Sequence, residues 1–266
     1  MLAMSELARI MANYEAVWQS IDQLLGTMTD DDWAVPSTCP GWTVKNVLEH
    51  LSGAEHVLSG WLPTSADDPL PFAAIADYLS EAQGRSGAAL AAEYRAIINR
   101  RREELNALTE ADFARASPTP VGPATYGRFM DIRVFDFWVH ERDMRLPLAR
   151  PAASESGPAA ERSVEEVAMS IGYIMGKKAG IPDGHSIAVH LTGPIERDLF
   201  VTVDGRAKVV DSLDAPDVTV STDSTTFVLL ACGRIDPEVE IAAGRIRWTG
   251  DTDLGGRAAR NLRFTM

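Results

Sequence analysis

Through residue 150 the apolar positions recur at three- and four-residue steps, the rhythm of helices that bury one face. Leu7, Ile10, Met11, Tyr14, Val17, Trp18, Ile21, Leu24 and Leu25 form the first such series, with Gly26 as its stop. An acidic turn at Thr29–Trp33 and the loop Ser37–Trp42 follow. Thr43 is then the expected N-cap of a helix whose stripe is Val44, Val47, Leu48, Leu51 and Leu58. A third helix is predicted from about Ala88 to Leu108, before the Pro- and Gly-rich loop Ala116–Thr125. The fourth, about Tyr126 to Met144, is apolar nearly all round and belongs inside a bundle.

The period changes in the second half. After a helix expected from about Val164 to Lys178, β-branched residues alternate or cluster in SIAVHLTG, DLFVTVDG, AKVVDS and DVTVST, the pattern of a small antiparallel sheet. TTFVLLACG reads as a helix, IRWTG as another strand and LGGRAARNLRFT as a closing helix. The expected architecture is therefore an α+β two-domain protein. A four-helix bundle spans 1–150, a linker 151–162, and a smaller α+β domain with an antiparallel sheet 163–266.

Composition narrows the function classes. The formal net charge of −13 argues against a general nucleic-acid binder, which needs a basic surface to displace counterions. The basic run Arg100–Arg102 reads as a solvated helix face interleaved with Glu103 and Glu104. Cys39 and Cys232 have no CxxC spacing and make no disulfide framework. No apolar run approaches the length of about 20 residues needed to span a bilayer. The start lacks the plan of a signal peptide, so the expected location is cytoplasmic.

The histidines carry the candidate chemistry. Asp136 and His140 are four residues apart, so a helix presents both on one face, and the apolar surroundings make their burial costly without partners. Such a pair could bind a metal, or equally could bond each other or Arg133. On a helical wheel with Val44 at zero, the stripe of the second helix centres near 340°. His50 falls at about 240°, beside the stripe, and His56 at about 120°, on the surface. Taken alone, His50 reads as a boundary histidine. His190 is expected on the outer face of a strand. Cys39 reads as a half-buried cysteine and Cys232 as core. The chain has no GxSxG, GxxxxGK[ST] or HExxH motif.

CPGWTVKNVLEHL, followed much later by DFWVHERDMR, resembles the mycothiol-dependent maleylpyruvate isomerase-like proteins, a branch of the DinB-like metal-binding helix bundles. LLACGRIDP and IRWTGDTDLG look like that family's second domain, a small unit related in shape to sterol-carrier folds. The resemblance implies a divalent ion, most often zinc, on His50, Asp136 and His140, with mycothiol as cosubstrate. Asp136 departs from the usual Glu, which changes reach and denticity and leaves iron, manganese or nickel open. Asp143 would support the site without being a ligand.

The resemblance also implies a reaction type. A coordinated thiol loses its proton, and the thiolate attacks a small electrophile as an isomerase or an S-transferase would. Arg234 and Arg247 are candidate anchors for anionic substrate groups, with Arg234 the one carried forward, though either also reads as a surface arginine. The alternatives are a metal-stabilised binding protein for an apolar ligand, and a bundle whose polar trio is structural and whose partner is another protein. Neither nucleic acid nor membrane is expected as a partner, and oligomeric state is not set by the sequence.

Overall fold

The structure is a computed structural model that describes residues 4–152 and 155–264. The chain divides into two compact units, Met1–Ala153 and Ser154–Met266.

In the first unit the long helices are α1 (Glu6–Leu25), α2 (Val44–Leu58), α4 (Gly87–Asn106) and α6 (Tyr126–Arg145), with the short α3 (Ile75–Ala82) and α5 (Glu110–Phe113) between them. Helix α6 packs on α1 and α2, and α4 packs on the same two helices, which closes a four-helix bundle. Its core includes Tyr14 and Trp18 of α1, Leu48 and Leu51 of α2, Tyr94 and Ile98 of α4, and Phe129 and Phe137 of α6. Tyr14, Trp18 and Phe137 form an aromatic cluster with ring centroids 4.8 to 6.5 Å apart. Thr43 caps α2 as its sequence implies: its side chain accepts from Asn46 N, and the Asn46 side chain accepts from Thr43 N.

Several sequence expectations change here. The loop Ala116–Thr125 is bracketed by a minimal antiparallel ladder of β1 (Ala116–Ser117) and β2 (Ala124–Thr125), with its three prolines confined to the span between the strands. Helix α6 is buried on nearly every side, yet it carries buried charge: Arg133, Glu141, Arg142, Asp143 and Arg145. These are paired, as in Glu141 with Arg142 and Arg145. In the run Arg100–Arg102, Arg101 is only 2% exposed and bonds Glu55, Glu104 and the Leu58 carbonyl. The solvated-face reading fails at that residue because its partner lies on another helix.

The second unit holds a five-stranded sheet built from β3 (Ser186–Thr192), β4 (Arg197–Asp204), β5 (Arg206–Val210), β6 (Val218–Asp223) and β7 (Ile246–Gly250), in the order β5-β4-β3-β6-β7. All five strand segments named from the period-two pattern are present. The β3·β4, β4·β5 and β6·β7 pairs are antiparallel. The β3·β6 pair is parallel, because the chain leaves the β5 edge and crosses to the far side of β3. Helices α7 (Pro158–Ala168), α8 (Ile171–Tyr173), α9 (Ser224–Ala231), α10 (Pro237–Ala242) and α11 (Thr252–Arg260) complete it. Helix α7 starts six residues ahead of the expected Val164, with Pro158 in its first turn. The predicted continuous helix to Lys178 breaks after Ala168 and ends in a π-helical turn, Ile174–Lys178.

Candidate metal site

The site is built where α2 faces α6, beneath the loop that precedes α2. In that loop Trp42 N donates to the Cys39 carbonyl at 3.1 Å, and Gly41 has φ of 81°. Proline then glycine at the central positions is the pattern of a type II turn, in which the second central residue needs positive φ. The Ser37 hydroxyl ties the ends of this turn, donating to the carbonyls of Cys39 and Trp42. The loop is tied to the end of α6 by Thr38, whose N donates to the Asp143 carbonyl and whose hydroxyl donates to Asp143 Oδ1 at 2.6 Å.

The turn places Trp42 over two imidazoles. Its ring lies 5.2 Å from that of His50 and stacks on His140 at 5.9 Å with planes 16° apart. The two imidazole centroids are 4.8 Å apart. Asp136 completes the group: its Oδ2 is 3.5 Å from His50 Nε2 and its Oδ1 is 3.4 Å from His140 Nε2. The three residues that the resemblance implies as ligands are thus brought together, with one ligand-type atom from each within 4.8 Å of the others.

Two observations decide what these atoms suit. His50 Nε2 is buried and has no hydrogen-bond partner, since 3.5 Å to Asp136 exceeds ordinary hydrogen-bond length. In addition, each imidazole Nε2 faces a different oxygen of Asp136, at 3.5 Å for His50 and 3.4 Å for His140, close to the about 3.3 Å that separates two ligand atoms on one tetrahedral ion. Cys39, His140 and Asp143 also lie close together. In that grouping, however, the Asp143 carboxylate already pairs with His140 Nδ1 at 2.9 Å and accepts from Thr38.

Charge follows from the neighbours. Burial would raise the Asp136 carboxyl, but the Arg133 guanidinium and then His140 outweigh it and hold the group well below the usual carboxylate range. Burial would lower His140, but Asp136 and then Asp143 push it up to about 9. The alternative of a bond from Arg133 to Asp136, with His140 as an ion-pair neighbour, is therefore realised alongside the metal-type geometry. Arg133 Nη1 donates to Asp136 Oδ2 at 2.5 Å. A cavity of about 410 Å³ opens beside His50, lined by Trp42, Lys45, Glu49, Leu79 and Gln83, a volume suited to a small molecule.

The other sequence candidates are placed as follows. His56 is exposed on α2 and stacks on Tyr78. His190 is exposed on β3 and pairs with Asp198 at 2.6 Å. Cys39 is half-buried and Cys232 buried. Arg234 belongs to the second unit, half-buried after α9, with Nη1 donating to the Cys232 carbonyl at 2.8 Å. Arg247 is exposed on β7. Sequence reasoning passed over Glu55, which has no exposed surface and bonds both Arg133 and Arg101. The signal was available: on the α2 wheel Glu55 falls at about 20°, within the apolar stripe between Val44 and Leu48.

Residues 14–145 match the family described as mycothiol maleylpyruvate isomerase N-terminal domain, and residues 161–259 match its C-terminal domain. A solved mycothiol-dependent maleylpyruvate isomerase shares the fold with a TM-score of 0.64 at 15% identity, covering 97% of each chain. A sterol carrier protein 2-like protein from Aedes aegypti covers 37% of this chain with a TM-score of 0.31, too slight a likeness to bear on the fold. An uncharacterized protein of Mycobacterium tuberculosis is 25% identical over 161 residues, 56% of this chain and 61% of that protein. The chain thus spans about three-fifths of the length of the curated relatives it matches. With the two domain matches together spanning most of its length, the chain belongs to the mycothiol maleylpyruvate isomerase family.

Proposed function

We propose that this protein is a metal-dependent enzyme that uses mycothiol as its thiol cosubstrate and acts on a small electrophile, as an isomerase or an S-transferase. The observation that carries the reading is His50 Nε2, buried without a partner and turned toward Asp136 and His140. An orphaned buried nitrogen costs about 1–3 kcal/mol, a cost that an ion bound to His50, Asp136 and His140 would remove. We infer zinc, which suits two imidazoles and a carboxylate with a position left open.

When bound, the ion would act as a Lewis acid that favours the thiolate form of the cosubstrate. The chain's own residues prepare that role. Asp143 accepts from His140 Nδ1, so that release of the other proton would present the Nε2 lone pair to an ion. Arg133 holds Asp136 ionised, and Trp42 walls the site from above. The nucleophile arrives with the cosubstrate, so no catalytic cysteine is required of the protein. In an isomerisation the thiolate adds to a cis double bond, the new single bond rotates, and elimination returns the thiol and the trans product. In a transfer it displaces a leaving group or opens an epoxide and stays attached. Arg234 remains our candidate anchor for an anionic group on the substrate.

The test begins with untagged protein and elemental analysis. Wild type should carry about one ion per chain, and His140→Ala should lose it. Equal metal in both would remove the site. Mycothiol consumption against a panel of electrophiles then separates enzyme from binder: no consumption by the metal-loaded protein would leave the binding reading. The cavity of about 500 Å³ in the second unit mixes apolar Tyr173, Ile181 and Val203 with charged Lys177, Asp183 and Arg206, and is where a ligand of the binding reading would be sought.

A further inference from the structure

Asp136 does not face the imidazoles alone. Its Oδ2, the oxygen 3.5 Å from His50 Nε2, accepts from Arg133 Nη1 at 2.5 Å, while Oδ1 lies 3.4 Å from His140 Nε2. Arg133 is held from its other edge, where Nε and Nη2 both donate to Oε1 of Glu55 at 3.1 and 3.0 Å. Glu55 is itself immobilised, because it is fully buried and its Oε2 accepts from Arg101 Nε at 3.1 Å. Arg101 is fixed in turn by the Leu58 carbonyl and Glu104. A planar guanidinium gripped along one edge presents its remaining donor in one direction. Here that direction is Asp136.

We propose that Arg133, anchored by Glu55, is a positioning residue that sets how Asp136 binds the ion. It engages Oδ2 in a charge-assisted bond, disfavours that oxygen as a second ligand to the ion, and so keeps a coordination position open for the thiol. The inference rests on the metal-binding reading above. Its physical basis is that a carboxylate with both oxygens free can take two positions on an ion, and the second would compete with an incoming ligand. The guanidinium removes that option through a charge-assisted bond, the kind of outer contact that fixes a ligand's orientation. Asp on a short side chain, beside an arginine three residues earlier on the same helix, makes the control local to α6. Glu55 makes it depend on α2.

The full-length protein loaded with Co²⁺ provides the test, because four-coordinate Co²⁺ absorbs strongly in the visible and five- or six-coordinate Co²⁺ weakly. Wild type should bind about one Co²⁺ with strong bands. Arg133→Lys keeps the charge but lacks the planar edge that Glu55 grips, so it should retain Co²⁺ with bands several-fold weaker. Glu55→Gln should shift the bands in the same direction. Unchanged band strength in both variants with Co²⁺ bound would overturn the proposal, as would weak bands in wild type. Should either variant fail to fold, a crystal structure of the metal-loaded wild type decides. One Asp136 oxygen on the ion with Arg133 on the other is expected, and two oxygens on the ion would refute it. If wild type takes up no Co²⁺ or Zn²⁺, the metal-binding reading itself fails and takes this inference with it.

Discussion

A histidine that is to bind a metal must first release the proton its neighbours hold on it. In the metal-free site Asp136 and Asp143 push His140 up to about 9, above its ordinary 6.5. The sign follows: protonated His140 stabilises the metal-free fold fully below about pH 6.5, and that contribution is lost as pH rises through about 9. Metal binding runs the other way. Between pH 7 and 9 the apparent affinity should rise about tenfold per unit, with roughly one proton released per ion. Calorimetry in buffers of different ionisation enthalpy reads that proton directly. A pH-independent affinity over this range would show that His140 is not a ligand or is not held protonated. At this scale the sequence was informative about residues on one helix and silent across helices. Asp136 and His140 showed themselves by four-residue spacing. Arg101 and Glu55, 46 residues apart, could be understood only once α4 lay against α2.

At the scale of elements, what could be read depended on where the cause of a structure lies. The strands were legible because one buried face imposes alternation, as in β6, where every second residue is buried. Helix α3 was missed because it is eight residues long with only Tyr78 and Ala82 buried, too short for a period to register. The π-helical turn that follows lies close against β5: at Gly176 a Cβ would come within 2.7 Å of the Ala207 side chain, a contact no local pattern announces. Gly26 and Gly41 make the same distinction testable. Gly26 ends α1 as expected, yet with φ of −66° and ordinary space around it, so nothing there requires glycine. Gly41 has open space but φ of 81°, so any cost of a side chain is conformational. Gly41→Ala should lose about 1–2 kcal/mol in urea denaturation, and Gly26→Ala should be neutral or slightly stabilising. Because the turn at Gly41 carries Trp42, the first substitution should also weaken metal binding, and the second should leave it alone. Equal effects of the two would remove the case for a strained turn above the site.

For the whole molecule, the distribution of the candidate ligands matters more than the net charge of −13, which only disfavours polyanionic partners. Among the described residues no helix is long and apolar enough to cross a membrane. His50, Asp136 and His140 all belong to the first unit, and their supports Trp42, Glu55, Arg133 and Asp143 do too. A ligand that binds only the folded site stabilises it by about 4 kcal/mol at a thousand times its dissociation constant. That free energy slows every opening that separates α2 from α6, and leaves untouched the openings that do not. Hydrogen exchange on the full chain, with and without Zn²⁺, should therefore show slowing concentrated in peptides from α2, α6 and the loop carrying Trp42. Peptides from the sheet of the second unit should exchange at unchanged rates. His140→Ala should abolish the difference throughout. Equal slowing in both units would mean that they open together. Slowing confined to the second unit would place the ion away from these three residues altogether.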